Sequence, residues 1–221
     1  MTYNILATGS SGNAVLINDN ILVDIGVPFA KLAPHAGKIK LVLTTHIHSD
    51  HFKPSTVRKL HQLHPAIRFG CCEWMAGTLL EAGVDKRVID VLRPRFQFDY
   101  GEFTVQAERV SHNVENCGYK IMIFDLKNND AETVFYATDC ATLDGIEAKN
   151  FDLYMIEANH RRAEIEARIA EKQAAGEFAY EVEACRNHLS YEQAMDWLAA
   201  NAGPNSRYIL LHQHREKENH R

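Results

Sequence analysis

Nowhere do the 221 residues contain an apolar run approaching the roughly 18 to 20 that a membrane-spanning helix needs, so no transmembrane helix is expected. The opening Met1-Thr2-Tyr3-Asn4 lacks a basic segment followed by an apolar stretch, so no secretory leader is expected either, and the chain is read as cytoplasmic. The five cysteines, Cys71, Cys72, Cys117, Cys140 and Cys185, are odd in number and never spaced Cys-x-x-Cys. That sets aside a disulfide framework and a zinc ribbon, and leaves buried or incidental thiols. An excess of positive charge is also missing, and a formal net charge of −5 does not fit a protein that coats nucleic acid. It leaves room for a polyanionic substrate, because divalent cations would supply positive charge locally. No repeat, linker or low-complexity tract divides the sequence, and its length and 46% hydrophobic content fit one domain over residues 1–221.

Short apolar runs separated by turn residues predict strands at Tyr3–Ala7, Ala14–Ile17, Ile21–Asp24 and Leu41–Thr45. From Ser55 the period becomes helical, with Val57, Leu60 and Leu63 on one side, and ends before Pro65. Further strands are expected at Arg87–Leu92, Phe103–Arg109, Cys117–Phe124, Thr133–Thr138, Leu153–Glu157 and Tyr208–Leu211, with a hairpin turn at Asn128-Asn129-Asp130. Arg161–Ala175 reads as a charged helix and Ser190–Asn201 as a helix capped by Ser190. Two halves rich in β and α elements suggest an α/β fold in which sheets pack face to face with helices outside, an αββα layering.

Histidine is abundant, with 12 copies, and four motif positions concentrate the signal: Thr45-His46-Ile47-His48-Ser49-Asp50-His51. A shuffled chain of this composition contains His-x-His-x-Asp-His about twice in a thousand, which sets chance aside. His46 and His48, two apart at a strand end, can point the same way, while the following turn swings Asp50 and His51 towards a second point. Leaving such groups unpaired after the apolar Leu41-Val42-Leu43 would be costly, so surface or capping histidines are the weaker explanation. Imidazole and carboxylate together suit zinc, with manganese or iron also compatible, and the tight cluster suggests two divalent ions.

Around this motif the sequence resembles the metallo-β-lactamase superfamily, and within it the YycJ-like branch together with the tRNase Z type of phosphodiesterase. The resemblance is carried by Gly9-Ser10-Ser11-Gly12-Asn13, Val23-Asp24-Ile25-Gly26, Ser111-His112, Ala137-Thr138-Asp139, Glu157-Ala158-Asn159-His160 and Asn187-His188-Leu189-Ser190, and extends from about Asn4 to Asn219. It implies the metallo-β-lactamase αββα four-layer sandwich. It further implies that His46, His48 and His112 hold one ion, that Asp50, His51 and a late histidine hold the other, and that Asp139 bridges. His212, which follows a helix and a strand, is taken as that late ligand and His188 as the catalytic histidine; Asp50 is carried as both ligand and catalytic residue. Where the branch has Leu-Ser after the last histidine this chain has Gln213-His214, which leaves the division of roles among His188, His212 and His214 open. Asp24 is read as orienting a metal-bound histidine. Taken singly, His112 would be an ordinary loop residue and Asp139 a turn residue; the partly filled site changes both readings. His35, His61, His64 and His220 read as solvated.

Two ions sharing a water would lower its pKa towards neutrality and present hydroxide to phosphorus or carbonyl carbon, with His188 protonating the leaving oxygen. The resemblance thus implies a phosphodiesterase or nuclease acting on DNA or RNA, with DNA exonuclease its sharpest form. A hydrolase of small esters, thioesters or lactones, and a non-hydrolytic di-iron member of the fold, are the alternatives. The helix at Arg161–Ala175 reads as a salt-bridged solvated face or, alternatively, a phosphate-steering one. Oligomeric state is not legible.

Overall fold

A computed structural model of the protein describes residues 1–125 and 127–213. The first sheet takes the strands β1 (Tyr3–Ala7), β2 (Ala14–Ile17), β3 (Ile21–Val23), β4 (Leu41–Thr44), β5 (Arg68–Cys71) and β6 (Ile89–Val91) in that spatial order. The second takes β7 (Gln97–Asp99), β8 (Phe103–Val110), β9 (Asn116–Asp125), β10 (Asp130–Ala137), β11 (Leu153–Glu157) and β12 (Arg207–Leu211), again as neighbours in sequence order. The first sheet begins antiparallel and turns parallel from β3 onwards. The second is antiparallel from β7 to β10 and parallel from β10 to β12. Parallel pairs need crossovers, and these bring the helices α1 (Phe29–Leu32), α2 (Pro54–Leu63), α3 (Glu73–Glu81), α4 (Arg162–Ala174), α5 (Glu181–Asn187) and α6 (Tyr191–Asn201).

Three apolar cores define the layers. Alternate residues of the first sheet, Val15, Ile17, Val23, Leu41 and Leu43, meet Val105, Tyr119, Ile121, Tyr136 and Met155 of the second in a central core. The intervening Leu16, Leu22, Val42 and Phe69 face outward onto Val57 and Leu60 of α2 and Met75 and Leu79 of α3. On the far side, Phe135, Tyr154 and Ile156 pack on Ala194 and Leu198 of α6. The period-two alternation of side chains therefore serves two cores per sheet, and β2, β4 and β11 are buried on both faces. This is the expected αββα sandwich.

Most expected elements form, with corrections at their ends. Asp24 leaves β3 with φ +62°, and β4 stops at Thr44, so Asp24 and Thr45 enter the loops at the sheet's edge. Only Ile89–Val91 of the expected Arg87–Leu92 strand is extended, because Lys86–Val88 forms a 3-10 turn in which the Asp85 side chain accepts from the Arg87 amide. β5, β7, α1, α3 and α5 had no clear sequence signal; they are short or, like α3, carry a glycine and apolar residues without a clean stripe. His61 is not simply solvated: its Nε2 accepts the Asp85 amide at 3.2 Å, tying α2 to the turn after α3. His35 and His64 are partly exposed, while His214 and His220 lie outside the described residues. Cys71, Cys72, Cys117 and Cys140 are buried thiols, and Cys185 is exposed.

One glycine sets the position of the histidine loop. A Cβ on Gly26 would stand 1.6 Å from the Asp50 carbonyl oxygen, the same oxygen that accepts from the Asn13 amide at 2.6 Å. Gly26→Ala must therefore push the loop away. We expect it to destabilise the protein by about 3 kcal/mol and to lower metal content, measured by urea unfolding and metal analysis of the folded fraction. An unchanged midpoint would show that the loop does not rest on this contact.

Candidate metal centre

The residues singled out in the sequence converge at one edge of the two sheets, where strands end. His46, His48, Asp50 and His51 lie in the loop after β4, His112 follows β8, Asp139 follows β10 and His212 follows β12. His46, His48, His112 and Asp139 form one group of facing donor atoms, and Asp50, His51, Asp139 and His212 a second, each within 4.8 Å. Asp139 is common to both. Its Oδ2 lies 3.5 Å from His46 Nε2, 3.8 Å from His112 Nε2 and 3.2 Å from His51 Nε2, while Oδ1 is 3.3 Å from His212 Nε2. Asp50 Oδ2 stands 3.6 Å from His51 Nε2 and 3.7 Å from His212 Nε2.

The orientation of each ring is fixed from behind. Asp24, fully buried, accepts from His51 Nδ1 at 2.7 Å and from the Thr45 amide and hydroxyl at 2.9 and 3.0 Å. Since the Thr45 hydroxyl donates to Asp24, it accepts from His46 Nδ1 at 2.9 Å, and one carboxylate orients two imidazoles. His112 Nδ1 donates to the Asn187 carbonyl at 3.0 Å, and His212 Nδ1 to Glu157 Oε1 at 3.0 Å. Each of these four rings thus turns Nε2 inward, the orientation a metal ligand requires.

The donor set fits divalent cations on grounds internal to the structure. His48 Nδ1 lies 3.1 Å from His46 Nε2 and 3.3 Å from His112 Nε2, an approach of three ring nitrogens that a shared cation would relieve. Asp139 Oδ1 and His212 Nε2 are buried with no hydrogen-bond partner among the described residues. Asp24, Asp139 and His212 all adopt left-handed backbone, with φ of 62°, 54° and 51°, so strain is concentrated at the centre. Five imidazoles and two carboxylates suit zinc, manganese or iron rather than an ion that prefers oxygen alone.

Electrostatics point the same way. Burial favours a neutral His51, but Asp24 and Asp139 outweigh it and lift the imidazole well above its ordinary value. Burial likewise opposes ionisation of Asp139, yet His51 and the contacts with His46 and His51 hold the carboxyl well below the carboxylate range. His212, despite burial, is raised from 6.5 to about 10 by Asp50 and Glu157. Burial carries His112, by contrast, down to about 4. Without a cation, protons on His51 and His212 balance the carboxylates. The His212 proton stabilises the metal-free fold fully below about 6.5, and that contribution fades as pH rises towards about 10. Zinc must displace such protons, so its uptake should release acid and tighten with rising pH over that window. Titrating zinc into weakly buffered metal-free protein with a pH indicator reads this directly; no proton release would mean the rings are already neutral.

Two residues of the motifs quoted above, Glu157 and Asn13, take roles that the sequence did not assign. Glu157, fully buried at the end of β11, accepts from His188 Nδ1 at 2.6 Å, His212 Nδ1 at 3.0 Å, the Cys140 amide at 2.9 Å and the Leu189 amide at 3.2 Å. An acid closing the apolar run Leu-Tyr-Met-Ile was the available signal. Asn13 places Nδ2 2.8 Å from His51 Nε2 and 3.3 Å from Asp50 Oδ2, so the Gly9–Asn13 turn reaches the centre itself. His188 stacks on His212 with ring centroids 5.2 Å apart and meets His112 edge-on at 5.4 Å. Asp139, Glu157, His188 and His212 also form a close group, so His188 borders the second donor set. Around α4 two ion pairs form, Arg161 at its N-cap with Glu164 at 3.9 Å and Lys172 with Glu181 of α5 at 2.6 Å, in keeping with a salt-bridged face. No described helix is long and apolar enough to cross a membrane.

Comparison with solved structures returns the same architecture. The short form of human tRNase Z superposes with a TM-score of 0.68 at 17% identity, over 96% of this chain and 93% of that one. The metallo-beta-lactamase fold protein YhfI from Bacillus subtilis gives 0.66 at 18% identity, over 96% and 85%. A variant of the CmlA beta-hydroxylase gives 0.56 at 18% identity, over 88% of this chain and 43% of that one. No curated protein sequence matches. The family model described as the beta-lactamase superfamily domain matches residues 19–213, a span that holds all seven candidate ligands, and the chain belongs to that superfamily.

Proposed function

We propose that the protein is a two-metal phosphodiesterase acting on nucleic acid, with zinc the first choice of ion and manganese or iron the others. His46, His48, His112 and Asp139 would hold one ion, and Asp50, His51, Asp139 and His212 the other. Two divalent cations held there would supply an activated water and a counter-charge for phosphoryl oxygens. The observation that carries the choice of phosphodiester is His188. Burial disfavours its charged form, but the hydrogen bond and charge of Glu157 raise the imidazole above its ordinary value and so favour the proton-bearing form. Its Nδ1 is committed to Glu157, which leaves Nε2 as the atom that can hand a proton to a leaving oxygen. An alkoxide leaving from phosphorus needs that proton, and the tRNase Z neighbour shares the fold. A thiolate departs without such a donor, so thioester hydrolysis would leave the His188 proton without a task.

The test is a substrate panel of bis-p-nitrophenyl phosphate, end-labelled DNA and RNA, a thioester and a lactone, run on metal-quantified protein with zinc, manganese or neither. Metal-dependent turnover confined to phosphodiesters is the expected outcome. Turnover of only the thioester or lactone by two-metal protein would overturn the reading.

A further inference from the structure

Beside the first donor set the surface carries two grooves that meet at Arg109. One, of about 450 Å³, follows the turn from Arg109 past His112 to Glu115. The other, of about 470 Å³, is lined by Glu73, Trp74, Arg93, Pro94, Arg95 and Arg109 among others. Trp74 anchors this second groove to the centre, since its indole N–H donates to the Thr45 carbonyl at 3.2 Å, one residue before His46. The Arg109 guanidinium sits over the Trp74 ring at 5.1 Å, and Arg93 sits over the ring of Phe96 at 4.3 Å. Phe96 is 55% exposed, so its ring is open to solvent beside the arginines.

Charge in this groove runs against that of the molecule, whose net formal charge is −5. Arg93 and Arg95 are exposed, and neither makes an ion pair among the described residues. The acid in its lining is Glu73, and Glu115 of the adjoining groove is paired with Arg109. Arg95 is held at φ +69° with its amide donating to Ala107 at 2.8 Å. Left-handed backbone costs a non-glycine residue about 1 kcal/mol, so the turn that presents Arg93, Arg95 and Phe96 is maintained against local preference.

We propose that this groove is the track on which a single nucleic-acid strand lies as it enters the centre, a reading that rests on the phosphodiesterase assignment for its choice of occupant. Arg93 and Arg95 meet successive backbone phosphates, and Phe96 and Trp74 offer faces to unpaired bases. Alternating guanidinium and aromatic groups are the pattern that binds single strands without reading sequence. Paired bases in a duplex present no free face to such rings, so a duplex gains only the charge contacts.

The test measures binding of a labelled, cleavage-resistant phosphorothioate strand of about 12 nucleotides to the metal-loaded protein, as DNA and as RNA, across a salt series. Arg93→Glu/Arg95→Glu should weaken binding about tenfold and flatten the slope of log affinity against log salt by about 1.4, at about 0.7 per phosphate contact. Phe96→Ala should weaken binding about tenfold with the slope unchanged. All variants should hydrolyse bis-p-nitrophenyl phosphate like the parent, which also shows that they fold. Lys31→Glu/Lys38→Glu, outside the groove, is the control for net charge. If the arginine variant binds as the parent does, or no worse than the lysine control, the track is wrong. If the parent shows no phosphodiester turnover but arginine-dependent strand binding persists, the track stands and the phosphodiesterase assignment falls.

Discussion

Asp139→Asn is expected to reduce phosphodiester hydrolysis at least about a thousandfold and to strip metal from both donor sets, because the two share only this side chain. The substitution is close to isosteric, and asparagine tolerates the left-handed φ of 54° as readily as aspartate, so the backbone has no reason to move. What changes is charge and direction. An amide in place of Oδ1 or Oδ2 turns N–H groups towards ring nitrogens at 3.2 to 3.8 Å and removes the anion that offsets His51 and His212. In the metal-free protein, taking one partner from a buried charge pair costs about 3 kcal/mol. The variant should therefore unfold earlier in urea at neutral pH and bind less than one equivalent of zinc by elemental analysis. Two equivalents of bound zinc with turnover within tenfold of the parent would show that Asp139 does not bridge.

How much of this was legible in the sequence follows from how far apart the partners lie. His46, His48, Asp50 and His51 are contiguous, so spacing alone suggests two diverging donor pairs. Asp24 is readable as an orienting group, but its reach to His46 passes through the Thr45 hydroxyl, a relay that only coordinates reveal. Glu157 meets His188 and His212 across 31 and 55 residues, so its motif was readable in the sequence but its partners were not. Apolar alternation located the long strands, whereas β5 and β7 are held by neighbouring strands rather than by their own pattern. The groove at Arg109 was legible only in part. Arg93-Pro94-Arg95-Phe96 is a short basic and aromatic window on the turn before β7, but Trp74 on α3 and Arg109 near the end of β8 join it only in the fold.

His188→Ala tests, by leaving group, the proposed division between His188 as proton donor and the metal ligands. The variant should keep both metals, lose about a hundred- to ten-thousandfold in turnover of a DNA or RNA strand, and lose little on bis-p-nitrophenyl phosphate. The difference arises because p-nitrophenolate is stable enough to depart unprotonated, while a ribose or deoxyribose alkoxide is not. Geometry permits this division: His188 is held by Glu157 at 2.6 Å, and the neighbouring His212 is the ring that faces Asp50 and Asp139. The acid must be protonated to act, so strand cleavage should fall as pH rises through the His188 value, which Glu157 keeps above the ordinary range in spite of burial. Glu157→Gln removes that support, lowers the His188 value and should move the alkaline fall to lower pH, a shift that a purely structural role for Glu157 would not produce. Loss of one metal in His188→Ala, with equal damage to both substrates, would instead make His188 the ligand and exchange its role with His212.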